Sequence, residues 1–133
     1  MKYCADTWFL LALFDKDERA RILFHSLEQK KGWIFVSYIA YAETIRKLFQ
    51  RGISEEQLQT FFTLLEASEK VRFISVDERI AREAAKVSLT YNLSLMDACI
   101  AATTKIMDCE NLLSGDSDYA LAVKKKYLKL MNW

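Results

Sequence analysis

A chain of 133 residues, 52% hydrophobic and 28% charged, has the apolar content for one buried core, which excludes a disordered chain. Its 19 basic and 18 acidic residues leave a net charge of +1, so a nucleic acid would have to be held by a local basic patch and not by the field of the whole molecule. With no proline and three glycines there is no linker, and the apolar run at residues 8–14 is too short for a bilayer, so we expect a single domain over residues 1–133 without a membrane span or secretory signal.

In chain order, residues 2–6 read as a strand ending at Asp6, followed by a short apolar helix over residues 7–14. Ala20, Leu23, Phe24 and Leu27 recur at helical spacing in residues 17–30, and Gly32 stops that helix. Residues 33–36 (Trp-Ile-Phe-Val) are a β-prone run. A helix over residues 38–51 follows, with Ile39, Ala42, Ile45 and Phe49 as its expected apolar stripe. Ser54 and Gln57 form a capping box for the next helix, whose core face is Leu58, Phe61, Phe62 and Leu65.

Residues 71–76 are another strand, after which Asp77 caps a helix to about residue 91 with Ile80, Ala84 and Val87 in register. Ser94 and Asp97 read as a capping box opening a helix to about residue 107. Residues 110–114 form a weaker strand, residues 114–118 a turn, residues 119–126 a helix and residues 127–131 a last edge strand. Strands alternating with helices give an α/β fold, a three-layer α/β/α sandwich around a parallel sheet of four to five strands. In such sheets ligands bind beyond the C-terminal ends of the strands.

The acids fall at that edge. Asp6 ends the first strand, Glu43 lies in the second turn of the helix after the second strand, Asp97 opens a helix, and Asp116 and Asp118 follow the strand at residues 110–114. Each has an ordinary explanation: Asp6, Asp97 and Asp118 as helix caps, Asp116 as a turn residue, Glu43 as the i,i+4 partner of Lys47. Together they are harder to explain so, because two carboxylates about 4 Å apart repel by roughly 4 kcal/mol at an effective dielectric of 20. Such a cluster takes up protons or a hard cation, Mg²⁺ or Mn²⁺, and suits metal-assisted attack of water on a phosphodiester. Asp77 also follows a strand and reads as a plain N-cap.

Other chemistries lack their residues. His25 is the only histidine, which excludes a Ser-His-Asp hydrolase built from this chain and the usual His/Cys zinc site. No glycine-rich phosphate loop exists, and no lysine closes the strand at residues 110–114 as a receiver-like phosphoryl-transfer domain would need. Cys4, Cys99 and Cys109 are odd in number, and the first two sit in apolar settings; they read as reduced thiols of a cytoplasmic protein. Basic candidates for an RNA contact are Arg46 and Lys47, with Arg51 nearby, and Lys124 and Lys125, with Lys126 and Lys129 nearby.

Four pieces in order resemble the PIN-domain family, in particular the small single-domain VapC toxins. They are Asp6 in Tyr-Cys-Ala-Asp-Thr-Trp, Glu43 in Tyr-Ala-Glu-Thr-Ile-Arg, Asp97 in Leu-Ser-Leu-Met-Asp-Ala-Cys-Ile-Ala-Ala, and Asp116 with Asp118 in Leu-Leu-Ser-Gly-Asp-Ser-Asp-Tyr. The resemblance spans essentially the whole chain and departs at Tyr119, where the family more often has Phe.

It implies a Mg²⁺- or Mn²⁺-dependent endoribonuclease with Asp6, Glu43, Asp97 and Asp116 as the catalytic core, Asp118 as an auxiliary metal ligand and Ser114 as a hydrogen-bonding support. It also implies a homodimer and a VapB-type antitoxin as partner, for which the Phe- and Leu-rich helices at residues 17–30 and 54–67 can line a groove. A PIN-like RNA-processing nuclease without an antitoxin, and a PIN-like binding module with little catalysis, are the alternatives.

Overall fold

A computed structural model describes residues 1–133. Five strands, β1 (Lys2–Ala5), β2 (Trp33–Ser37), β3 (Val71–Ile74), β4 (Asn111–Leu113) and β5 (Leu130–Met131), form one sheet in the order β3-β2-β1-β4-β5, and every neighbouring pair is parallel. The helices are α1 (Thr7–Phe14), α2 (Glu18–Gln29), α3 (Tyr38–Gln50), α4 (Glu55–Ala67), α5 (Glu78–Tyr91), α6 (Leu95–Ile106) and α7 (Ala120–Lys124), with one 3₁₀ turn at Ser117–Tyr119. This is the expected α/β/α sandwich, with a sheet of five strands.

The chain climbs outward from β1 through β2 to β3, then returns to place β4 on the other side of β1. The strand order therefore reverses between β1 and β4, and the C-terminal ends of those two strands frame the crevice where parallel sheets bind ligands. Backbone pairing fixes the crevice: Ala5 is opposite Leu113, and the Asp6 amide donates to the Leu113 carbonyl at 3.2 Å. The central strands are apolar on both faces, with Cys4, Ala5, Leu112 and Leu113 fully buried, as a sheet covered by helices on both sides requires.

Local chemistry sets the helix starts. Asp6, Asp17, Ser37, Ser54, Asp77 and Ser94 each accept a hydrogen bond from a backbone N–H in the first turn. Ser54 and Gln57 make the full reciprocal box. Ser94 and Asp97 make only half of one: the Asp97 amide donates to Ser94 Oγ at 3.2 Å, and the Asp97 carboxylate is left for other partners.

Two expectations need correction. The fully buried face of α3 is Ala40, Thr44 and Leu48; of the expected stripe Ile39 and Ile45 pack half-buried against the core, whereas Ala42 and Phe49 do not. Thr44 can join an apolar face because its hydroxyl donates to the Ala40 carbonyl at 2.7 Å, which satisfies it inside the core. Phe49 and Ala42 are exposed, and Tyr41 packs sideways on Phe62 of α4. The end of the chain is also less regular than expected: α7 and β5 are short, and the first turn after β4 is 3₁₀.

Candidate active site

Asp6 stands at the C-terminal end of β1, buried to 3% exposure, and caps α1. Both of its oxygens are held. Oδ1 accepts from the Thr7 amide at 2.7 Å, and Oδ2 accepts from the Ser114 hydroxyl at 2.7 Å. Ser114, buried at the end of β4, in turn accepts from the Asp116 amide at 3.0 Å. Asp116 accepts from the Asp118 amide at 2.9 Å, so Asp116, and not Asp118, caps the 3₁₀ turn. These bonds lock β1, β4 and the turn after β4 into one frame.

Asp97, Asp116 and Asp118 converge above that frame, each with a carboxylate oxygen within 4.8 Å of the others. Glu43 reaches the same cluster from α3, where its Oε2 accepts from the Thr7 hydroxyl at 3.4 Å. The phenol of Tyr119, fully buried, points at Asp97 Oδ1 from 3.5 Å. The hydroxyl therefore sits as a neutral donor among acids; burial and the charges of Asp6, Asp97 and Asp116 push its ionisation far upward.

No lysine or arginine pairs with any of these acids; the ion pairs of the molecule are Arg51–Asp15 and Arg82–Glu78. The expected Glu43–Lys47 pair is not made at contact distance, although the Lys47 charge still favours ionised Glu43. The acids are strained electrostatically as a result. Burial raises Asp6 to about 7, against the Ser114 and Thr7 hydrogen bonds that lower it. Glu43 is raised by burial and by Asp97, and Asp97 by burial and by Asp116 and Asp118. The donors are all hard oxygens on three-plus-two carboxylates with no internal counter-charge, a set that fits Mg²⁺ or Mn²⁺.

The basic candidates part company. Lys47, one helical turn after Glu43, lines a groove between α1 and α3 together with Trp8. Arg46 turns to another face with Ile45 and Phe49. Lys124 and Lys125 are exposed at the end of α7. His25 is exposed on α2, hydrogen-bonded to Gln29.

Two contributors escaped the sequence reading. Thr7 ties Asp6 to Glu43 through its amide and hydroxyl; its only signal is a polar residue inside an apolar run, next to Asp6. The Tyr119 hydroxyl was visible only as a departure from Phe.

The PIN domain family model matches residues 3–125. Among solved structures, the chain resembles VapBC2 from Rickettsia felis bound to a DNA fragment from its promoter (TM-score 0.80, 16% identity, 100% of this chain and 99% of that chain). It also resembles VapBC-1 from nontypeable Haemophilus influenzae (TM-score 0.74, 22% identity, 100% and 98%). A third is Mycobacterium tuberculosis VapC20, a sarcin-ricin loop cleaving toxin (TM-score 0.72, 22% identity, 90% and 94%). Among curated protein sequences none matches the chain significantly.

Proposed function

The chain belongs to the PIN-domain family, and from that premise we propose that it is a divalent-metal-dependent endoribonuclease, the toxin of a VapBC-type pair. The observation that carries the reading is the uncompensated cluster of Asp97, Asp116 and Asp118, with Asp6 and Glu43 beside it, at the reversal of the strand order. Holding that many carboxylates together without a cation costs protons; a divalent ion replaces them.

Asp97, Asp116 and Asp118 would hold the ion, with Asp6 and Glu43 beside them. The ion would supply Lewis acidity toward the phosphate and an acidified water. The chain's own groups do the positioning. Ser114 and the Thr7 amide fix both oxygens of Asp6, so that carboxylate faces the cluster in one orientation. Thr7 Oγ1 restrains Glu43, which with its raised affinity for a proton can take one from water at Oε1 or Oε2. The open side of the cluster, where Asp118 is exposed, leaves room for an RNA strand.

The antitoxin part of the reading rests on a groove of about 730 Å³ between α2 and α4. Phe14, Phe24, Phe61 and Leu64 line it, and Leu64 is 70% exposed. An apolar groove of this size between two helices fits the apolar face of a partner helix. The resemblance further supports a cytoplasmic homodimer, and no helix is long and apolar enough to cross a membrane.

Incubation of the purified chain with total cellular RNA and Mg²⁺ or Mn²⁺ tests the nuclease. Cleavage that stops with chelator, and that Asp97→Asn loses by at least about a hundredfold, is the expected result. An Asp97→Asn protein that cuts at the parental rate removes Asp97 from the site.

A further inference from the structure

We propose that Trp8 is a stacking platform for an unpaired base of an RNA strand whose phosphate lies at the acid cluster. Trp8 is 49% exposed although it lies in the same turn as the buried Asp6 and Thr7. Its six-membered ring rests on Gly115, the residue between Ser114 and Asp116. A Cβ on Gly115 would lie 3.2 Å from Trp8 Cε3 and 3.4 Å from Cζ3. The glycine lets the indole sit directly on the backbone of the loop that carries Asp116.

From there a groove of about 690 Å³ runs between α1 and α3, with Trp8 and Trp133 as its aromatic walls. Trp133 is braced edge-on against Phe9, with ring centroids 5.2 Å apart. Lys47 lines the same groove one helical turn beyond Glu43, and Gln50 one turn further. Arg51 also lines the groove but is engaged with Asp15 at 2.8 Å, so Lys47 is the groove's cation that makes no ion pair.

Two acids also line the groove, but Asp15 is paired with Arg51 and Asp17 caps α2. The half-exposed indole, an amide side chain and one unpaired cation match what a single RNA strand offers: a flat base, polar edges and a phosphate. The link between groove and cluster is Trp8 itself, which lines the groove and packs on Gly115 next to Asp116, so a base stacked on it places its neighbouring phosphate toward the site.

The inference rests on the RNA reading, and the test separates the two. A fluorescein-labelled oligoadenylate is titrated, with Mg²⁺, onto Asp97→Asn protein and onto the same protein carrying Trp8→Ala or Trp8→Phe. We expect Trp8→Ala to weaken binding about tenfold and Trp8→Phe to stay within about threefold of Trp8. The same strand stripped of its bases should bind Trp8 and Trp8→Ala proteins equally. A 2-aminopurine base in the strand reads stacking in the protein that keeps Trp8, whatever the fate of the variants: its fluorescence should fall on binding.

Equal oligoadenylate affinity for Trp8 and Trp8→Ala, an equal loss with the baseless strand, or unquenched 2-aminopurine in a formed complex overturns the stacking role alone. Failure of the Asp97→Asn protein to bind the strand at all overturns it together with the RNA reading. Unchanged RNA binding with loss of a small protein companion overturns it in favour of a protein contact.

Discussion

The hydroxyl of Ser114 donates to Oδ2 of Asp6 at 2.7 Å, across 108 residues of sequence. It is the only side chain that donates to that buried carboxylate, and it stands at the end of the neighbouring strand. Ser114→Ala leaves Oδ2 of Asp6 buried without its donor. We expect a loss of about 1–3 kcal/mol in urea unfolding, with cleavage reduced about tenfold and Ser114→Thr restoring most of both. Unfolding curves that coincide for Ser114→Ala and the parent would remove the bond from the stability of the fold.

The acids predict an unusual pH profile. Asp6 titrates at about 7 in the fold against 3.8 for an ordinary aspartate, so the folded state holds a proton that the unfolded chain has released. With chelator present, that contribution to stability is complete below about pH 4 and is lost as pH rises to about 7, at up to about 1.4 kcal/mol per pH unit for this group. The raised Glu43 and Asp97 act in the same direction. Melting temperature should therefore fall between pH 5 and 7 in chelator, and excess Mn²⁺ should restore it most at and above pH 7. Asp6→Asn should flatten the chelator profile; a profile as steep as the parent's would assign the effect elsewhere.

The groove between α2 and α4 gives a prediction about partners. Leu64→Lys puts a charge among the apolar residues of the groove without touching the core, since Leu64 is 70% exposed. The melting temperature should stay within a few degrees of the parent's, and capture of a VapB-type antitoxin should be lost or weakened by at least about tenfold. Parental affinity in Leu64→Lys would move the antitoxin to another surface.

The thiols should be inert. Burial pushes Cys109 up to about 12, and Cys4, fully buried, still further. Cys99 is raised by the same cause. A thiolate is the reactive form, so an aromatic disulfide reagent at pH 8 should label the native chain slowly and all three cysteines only after denaturation. Rapid labelling of Cys4 in the native chain would show that the sheet opens readily at β1.

Much of this arrangement was readable because its causes are local. Caps at Asp17, Ser37, Ser54, Asp77 and Ser94 announce themselves by residue type, and the strands around Cys4, Phe35 and Leu112 by apolar runs bounded by turns. The carboxylates could be assigned to one edge because Asp6 and Asp116 follow strands, Asp97 opens a helix and Glu43 lies in the second turn of one. What escaped depends on contacts between distant segments. The centre of the α3 face, unlike its Ile39 and Ile45 margin, was not legible because Thr44 looks polar until its hydroxyl finds the Ala40 carbonyl. Thr7 gains a role only once α3 brings Glu43 to it, and Trp8 only once Gly115 slides beneath its ring.

The pairing of β1 with β4 sets an order of events during synthesis. Ser114 is made 108 residues after Asp6, and Asp116 and Asp118 follow it. Until β4 docks along β1, Asp6 lacks its Ser114 donor, and Asp97 lacks Asp116 and Asp118 beside it. A chain interrupted before that point lacks Asp116 and Asp118, so the three-acid cluster cannot assemble and whatever chemistry the acids perform is withheld from nascent and truncated copies.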